Sequence, residues 1–201
     1  MTIIIGLTGG IATGKTTISN FLKKKKYSVH DSDAIVKKMY ASPSAGFIKH
    51  LKNNGFLSSI KGTKINKKLI RDAIFNNKQK KRKLEDYIHN EVRRSRNEFL
   101  KKHKQKKTKV VILDIPLLFE AKLEHVCDYI ILLYLPKKTK ILRALNRKGM
   151  KKDILLKILK NQKRDSYKKK KASYVINTSK TKKHSFKMIL KAIGNIINSN
   201  A

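Results

Sequence analysis

The sequence predicts an α/β protein built on a buried parallel sheet, and three observations carry that expectation. Apolar runs rich in Ile, Leu and Val recur at residues 2–7, 109–116 and 128–136, continuous as in strands covered on both faces rather than alternating as in half-exposed ones. The first run is stopped by glycines, and TTISNFLKKKK after it sets Ile18, Phe21 and Leu22 at helical spacing. Helical stretches lie between the strand candidates, as connections between parallel strands need.

In chain order, TIIIGL is the first strand and residues 16–26 the helix after it, with YSVHDSD as a short second strand. KVVILDIP is the third strand, DYIILLYLP the fourth and ASYVINT the fifth, followed by the amphipathic closing helix FKMILKAIGNII. Between strands two and three lies a segment with the helical patterns KKLIRDAIF and LEDYIHNEVRRSRNEFL, far longer than one crossover helix needs. The expected division is therefore a core of residues 1–40, 108–138 and 172–201, a helical substrate region at about 41–107, and a basic helical lid at about 139–171.

A chain of 201 residues can bury one sizeable core, and its 40% hydrophobic content supplies the interior despite 50 Lys and Arg against 13 Asp and Glu. The formal charge of +37 creates a field that draws in any polyanion. Its cations are dispersed, however, with no recognition module and no interleaved aromatics, so no specific nucleic-acid partner is expected. The lysine runs at 23–26 and 168–171 read as solvated helix ends or phosphate-attracting rims. The sole cysteine, Cys127, reads as a small buried hydrophobe in a reducing compartment. No apolar run approaches the roughly 20 residues of a membrane span, so the chain is expected to be soluble, cytoplasmic and without a membrane partner.

Gly9, Gly10, Ile11, Ala12, Thr13, Gly14, Lys15 and Thr16 fit G-x-x-x-x-G-K-[ST] between a strand and a helix, with Thr17 following. This is the phosphate loop of P-loop NTPases. Glycine lets the amides turn inward around phosphate oxygens, and the helix amino terminus adds donors and a favourable dipole. Lys15 is expected to reach the β- and γ-phosphates of ATP, and the Thr16 hydroxyl to ligate Mg²⁺. The loop itself does not specify which molecule receives the phosphate.

Ligands of open parallel sheets bind at the carboxyl ends of the strands, where Asp33 and Asp114 are both expected. An alcohol acceptor must be aligned with the γ-phosphate, and a carboxylate orients its hydroxyl and accepts the proton late in transfer. Asp31, two residues before Asp33 on the same expected strand face, either supports that site or is a strand-end carboxylate bonded to nearby amides.

The chain resembles the dephospho-CoA kinase family in GLTGGIATGKTT, HDSDAIVKKMY with Pro43, AIF at 73–75, LEDYIH, LDIPLLFEAKL, LRALNRKGM and KKKKASYVINTS. These pieces follow one another with the family's order and spacing across nearly the entire chain. The resemblance implies a nucleoside-monophosphate-kinase-like fold with a nucleotide core, a helical CoA-binding region and a lid. It implies transfer of the γ-phosphoryl of ATP to the ribose 3′-hydroxyl of dephospho-CoA. Asp33 then matches the hydroxyl-orienting group, Asp114 lies near Mg²⁺ or substrate, and Glu120 is a supporting or substrate-side residue. Arg143 and Arg147 match lid arginines able to bridge phosphate oxygens, Lys168 matches a lysine before the last strand, and His89 is a packing or capping residue.

The sequence departs from the family at Ala12, where a third glycine is usual; at Ser44, Asn66, Lys67 and Asn90; and at Ser173, where Asp is usual. Alanine strains the loop if its φ must be positive, but the intact outer pattern predicts that ATP binding survives. Lys67 keeps the charge of an arginine without its fork of donors.

Overall fold

The computed structural model of the protein describes residues 1–75 and 77–200. The elements follow in chain order as β1 (Ile3–Gly9), α1 (Lys15–Lys24), β2 (Ser28–Asp31), α2 (Ser32–Ala41) and α3 (Ala45–Asn53). Then come β3 (Ile60–Lys61), β4 (Lys64–Ile65), α4 (Lys67–Phe75), α5 (Lys78–Gln105), β5 (Val110–Asp114) and β6 (Tyr129–Tyr134). The chain closes with α6 (Lys137–Leu145), α7 (Lys152–Lys160), α8 (Asp165–Lys171), β7 (Tyr174–Asn177) and α9 (Lys182–Asn198).

Two compact units emerge, one of residues 1–31 and 100–201 and the other of residues 32–99. The first holds, among the described residues, a five-stranded sheet in the order β2-β5-β1-β6-β7, with every adjacent pair parallel. Its central strands β1 and β5 are buried along their whole length, the both-faces burial expected of their unbroken apolar runs. Ile5, Leu7, Ile112, Ile131 and Leu133 pack with Ile18 and Leu22 of α1 and with Ile189, Ile193 and Ile196 of α9. Each fully buried Ile or Leu there contributes about 1.5–3 kcal/mol relative to exposure. Chain order reverses around β1, which is flanked by β5 and β6, so the carboxyl end of β1 is the switch point where an open α/β sheet receives ligands.

The second unit gathers α2–α4 and residues 78–99 of α5 around Phe47, Leu51, Phe56, Ile70 and Leu84. Phe47 stacks on Tyr87 with ring centroids 5.4 Å apart. Three departures from the family pattern have local structural roles here. Ser44 caps α3 by accepting Phe47 N–H at 3.2 Å, Asn66 accepts the amides of Lys68 and Leu69 at the start of α4, and the Lys67 ammonium lies 5.2 Å from the Tyr40 ring centre. The short β3–β4 ribbon, closed by Gly62 at φ 59, was not expected from sequence, because two-residue strands are too short for periodicity to register.

The second strand is shorter than its apolar pattern implies. It stops at Asp31, and Ser32 opens α2, so Asp31 and Asp33 are not i and i+2 on one strand face. Serine, aspartate and alanine directly after the strand suit a helix start, with Asp33 in the first turn facing the positive dipole end. Cys127 is half-buried rather than buried, and His89 is exposed in the middle of α5, neither packed nor capping. Among the described residues no helix is long and apolar enough to cross a membrane.

Candidate functional site

The phosphate loop sits at the switch point. β1 runs to Gly9, and α1 begins at Lys15 after Gly14, whose φ of 83 is a left-handed conformation that glycine adopts without a Cβ penalty. Thr13 fastens the turn from within, its hydroxyl donating to Gly10 O at 2.9 Å. The first α1 amide to bond into the helix is that of Ile18, to Gly14 O at 3.1 Å. The amides of Lys15, Thr16 and Thr17 therefore stand ahead of the helical ladder, at the end where anions are favoured. The Thr16 and Thr17 side chains are exposed.

Ala12 has φ 63, the positive value that disfavours a side chain. Its methyl is nevertheless buried against Ala144 and Leu155, so packing offsets part of the backbone cost.

Lys15 and Asp114 meet behind the loop. Lys15 Nζ lies 2.6 Å from Asp114 Oδ1, and the aspartate is 1% exposed at the end of β5. Burial pushes the Asp114 carboxyl above the ordinary carboxylate value; the Lys15 charge and hydrogen bond oppose that shift, and the neighbouring Asp31 adds to it. Asp31 is the register partner of Asp114 across β2 and β5, and Lys23 of α1 pairs with it at 2.8 Å. Asp31 thus belongs to the sheet's carboxyl edge, while Asp33 is an exposed residue of the second unit.

Arg143 donates through Nη1 to Thr178 O at 3.0 Å and through Nη2 to Ser179 O at 3.2 Å. Thr178, just past β7, donates its hydroxyl to Thr13 O at 2.8 Å and thereby pins the phosphate loop from behind. A cavity of about 150 Å³ lies beside the loop, lined by Gly14, Thr17, Arg143, Thr178, Lys182 and Phe186 among others. Arg147 is exposed beyond α6. The fold therefore joins Lys15, Asp114, Arg143 and the loop in one unit.

Lys168 is not a solvated end of its lysine run: it is 2% exposed, with Nζ 2.7 Å from Glu120 Oε1. Lys140, Gln162, Asp165 and Thr178 were not singled out from sequence, and each makes a contact in or near the loop. Their partners lie tens to more than a hundred residues away, and neither motif nor periodicity encodes such pairings. Ser173 replaces the usual aspartate and accepts the Ile130 amide at 3.0 Å, while Asn90 accepts from the Arg93 guanidinium on its own helix.

The thiol and carboxylate groups form no cluster of three or more potential metal ligands with histidine among the described residues. The donor set does suit a hard cation that retains water and substrate oxygens. Such an ion needs only one or two protein oxygens, and the exposed Thr16 hydroxyl on the first turn of α1 and the carboxylates at the sheet edge are of that kind.

A family model described as dephospho-CoA kinase matches residues 3–183. The dephospho-CoA kinase of Fusobacterium nucleatum is 35% identical over 93% of this chain and 95% of its own length. The crystal structure of TT1252 from Thermus thermophilus superposes with a TM-score of 0.78 at 26% identity, covering 96% of each chain. A dephospho-CoA kinase from Campylobacter jejuni has the same fold, with a TM-score of 0.74 at 24% identity over the whole of both chains. On its phosphate loop, its sheet order and this likeness along nearly its full length, the chain belongs to the dephospho-CoA kinase family.

Proposed function

We propose that this protein transfers the γ-phosphoryl group of ATP to the ribose 3′-hydroxyl of dephospho-CoA, giving coenzyme A and ADP in the last step of coenzyme A synthesis. The observation that carries the reading is the phosphate loop of Gly9–Thr17 at the sheet's switch point, its Lys15 held against the buried Asp114, in a chain that matches its kinase relatives along nearly its full length.

Catalysis in this class is mainly positioning and charge stabilisation. The amides of Gly10–Thr17 cradle the phosphates, and Lys15 meets the charge that shifts during transfer. Asp114 sets where the Lys15 ammonium rests, which removes part of the ordering cost from the reacting complex. Arg143 borders the cavity beside the loop and offers its guanidinium to nucleotide or phosphoryl oxygens. The Thr16 hydroxyl is the group that would hold Mg²⁺, which when bound would neutralise part of the polyphosphate charge.

Asp33 is the group assigned to the acceptor. It follows the end of β2 by two residues, and its carboxylate would orient the 3′-hydroxyl and take its proton late. Residues 41–107 are assigned to the acceptor and residues 139–171 to a lid, with the cytoplasm as compartment and no nucleic-acid or membrane partner.

A panel of acceptors tests the reading: dephospho-CoA, nucleosides, nucleoside monophosphates and shikimate, each with ATP and Mg²⁺. Turnover confined to dephospho-CoA is expected. Preferred phosphorylation of another acceptor, or ATP turnover that depends on RNA or DNA, would replace it.

A further inference from the structure

Two ion pairs of opposite polarity grip α8. Asp165 accepts from Lys140 Nζ of α6 at 2.5 Å, and Lys168 Nζ lies 2.7 Å from Glu120 Oε1 in the loop after β5. Asp165 and Lys168 are three apart and share a helix face, so an acid–base couple on α8 faces a base–acid couple from the rest of the unit. Sliding or reversing the helix brings like charges together, which makes the arrangement specific for one seating. Lys140 is 6% and Lys168 2% exposed. Lys168–Glu120 is buried and Lys140–Asp165 partly so, the Asp165 side chain being 34% exposed; such pairs contribute little to stability because desolvation or solvent screening offsets their attraction, so their value lies in the seating.

What they seat is the turn before α8. Glu120 Oε1 also accepts the Lys163 amide at 2.8 Å, holding the turn and the helix with one carboxylate. The preceding residue, Gln162, places Oε1 3.4 Å from the Ile11 amide of the phosphate loop. The approach is close: a Cβ on Gly10 would stand 3.1 Å from that oxygen and 3.5 Å from Lys140 Nζ. A crevice of about 550 Å³ opens on the same turn, and Lys160, Lys163 and Arg164 line it beside Gln162. Its surroundings therefore suit phosphate.

We infer that Glu120 and Lys168 are positioning residues which seat Gln162 on the phosphate loop, and that Gln162 sets the loop's affinity for the phosphates of ATP. A carboxamide carries an acceptor and two donors. It satisfies the Ile11 amide of the loop and, turned over, offers N–H to a phosphate oxygen. This rests on the phosphate-loop reading and not on the identity of the acceptor.

The test is a double-mutant cycle on the full-length protein, read by calorimetric titration with ATP and Mg²⁺ in the absence of dephospho-CoA. Gln162→Ala and the nearly isosteric Glu120→Gln should each weaken ATP binding about tenfold, the scale of one hydrogen bond to a charged group. The double variant should be no weaker than either single one. Lys168→Met, read in the same cycle, provides a second route should Glu120→Gln fail to fold. Glu120→Asp should recover part of the loss. Additive losses, or unchanged ATP affinity in Gln162→Ala, would overturn the inference. Parent protein that binds ATP yet does not phosphorylate dephospho-CoA would overturn the proposed function and leave this inference standing.

Discussion

Lys15 Nζ and Asp114 Oδ1 lie 2.6 Å apart, the ammonium at the first residue of α1 and the carboxylate buried at the end of β5. This contact ties the phosphate loop to the sheet edge and fixes the position of the Lys15 ammonium. Lys15→Ala removes both the proposed phosphate contact and the counterion of a 1%-exposed aspartate. Transfer is expected to fall at least a hundredfold, measured as kcat/KM for ATP, with the Asp114 carboxyl shifted further upward. Near-parental turnover would remove Lys15 from the mechanism.

Asp114 also gives stability a defined pH dependence. Its folded-state pKa is raised above the ordinary value of 3.8, so between that value and the raised one the folded state holds more proton than the unfolded state. Stability from this group then declines as pH rises through the window and is regained on acidification. Denaturant midpoints of the parent and Asp114→Asn, compared at several pH values from the carboxylate range to neutrality, isolate the effect. The parent should lose ground relative to the variant as pH rises; a difference independent of pH contradicts the assignment.

Ala12 combines a φ of 63 with a buried methyl. Ala12→Gly relieves about 1–2 kcal/mol of left-handed strain but gives up roughly 0.8 kcal/mol of methyl burial and some unfolded-state entropy. The net change in unfolding free energy should stay within about 1 kcal/mol, and ATP binding should persist. Ala12→Val puts a β-branched residue into the same conformation and is expected to weaken ATP binding at least tenfold, by titration.

Thr178 hydrogen-bonds Thr13 O at 2.8 Å and, more loosely, Tyr134 O at 3.3 Å. Thr178→Val keeps the shape and the amide bond to Tyr134 O but leaves the buried Thr13 carbonyl without that donor, a loss of about 1–3 kcal/mol. The predicted signature in thermal unfolding is a lowered midpoint together with a raised KM for ATP, because the hydroxyl holds the loop itself. A lowered midpoint with an unchanged KM would assign Thr178 to general packing.

The parts of the molecule legible in the sequence are those with local physical signatures. The unbroken apolar runs mark β1, β5 and β6 because both faces of those strands are covered, and the glycines and lysine of the loop are spelled out within nine residues, Gly9–Thr17. The end of β2 is less legible: VHDSDA holds no glycine or proline, its serine and aspartates suit a strand end as well as a helix start, and the pairing of Asp31 with Asp114 shows where the ladder stops. Lys168 was hidden by chemistry: four successive lysines look equivalent until one of them finds the carboxylate of Glu120, 48 positions earlier. Ser44, Asn66 and Ser173, departures from the family pattern, turned out to satisfy backbone amides, a role that several small polar residues can fill.

The fate of the labelled γ-phosphoryl group of ATP, followed with and without dephospho-CoA in the parent and in Asp33→Asn, decides whether the acceptor is phosphorylated and whether Asp33 acts on it. Label is expected on the ribose 3′-oxygen, one per ADP formed, with a loss of at least about a hundredfold in the variant and ATP affinity retained. Label released to inorganic phosphate at the same rate whether or not dephospho-CoA is present would contradict it.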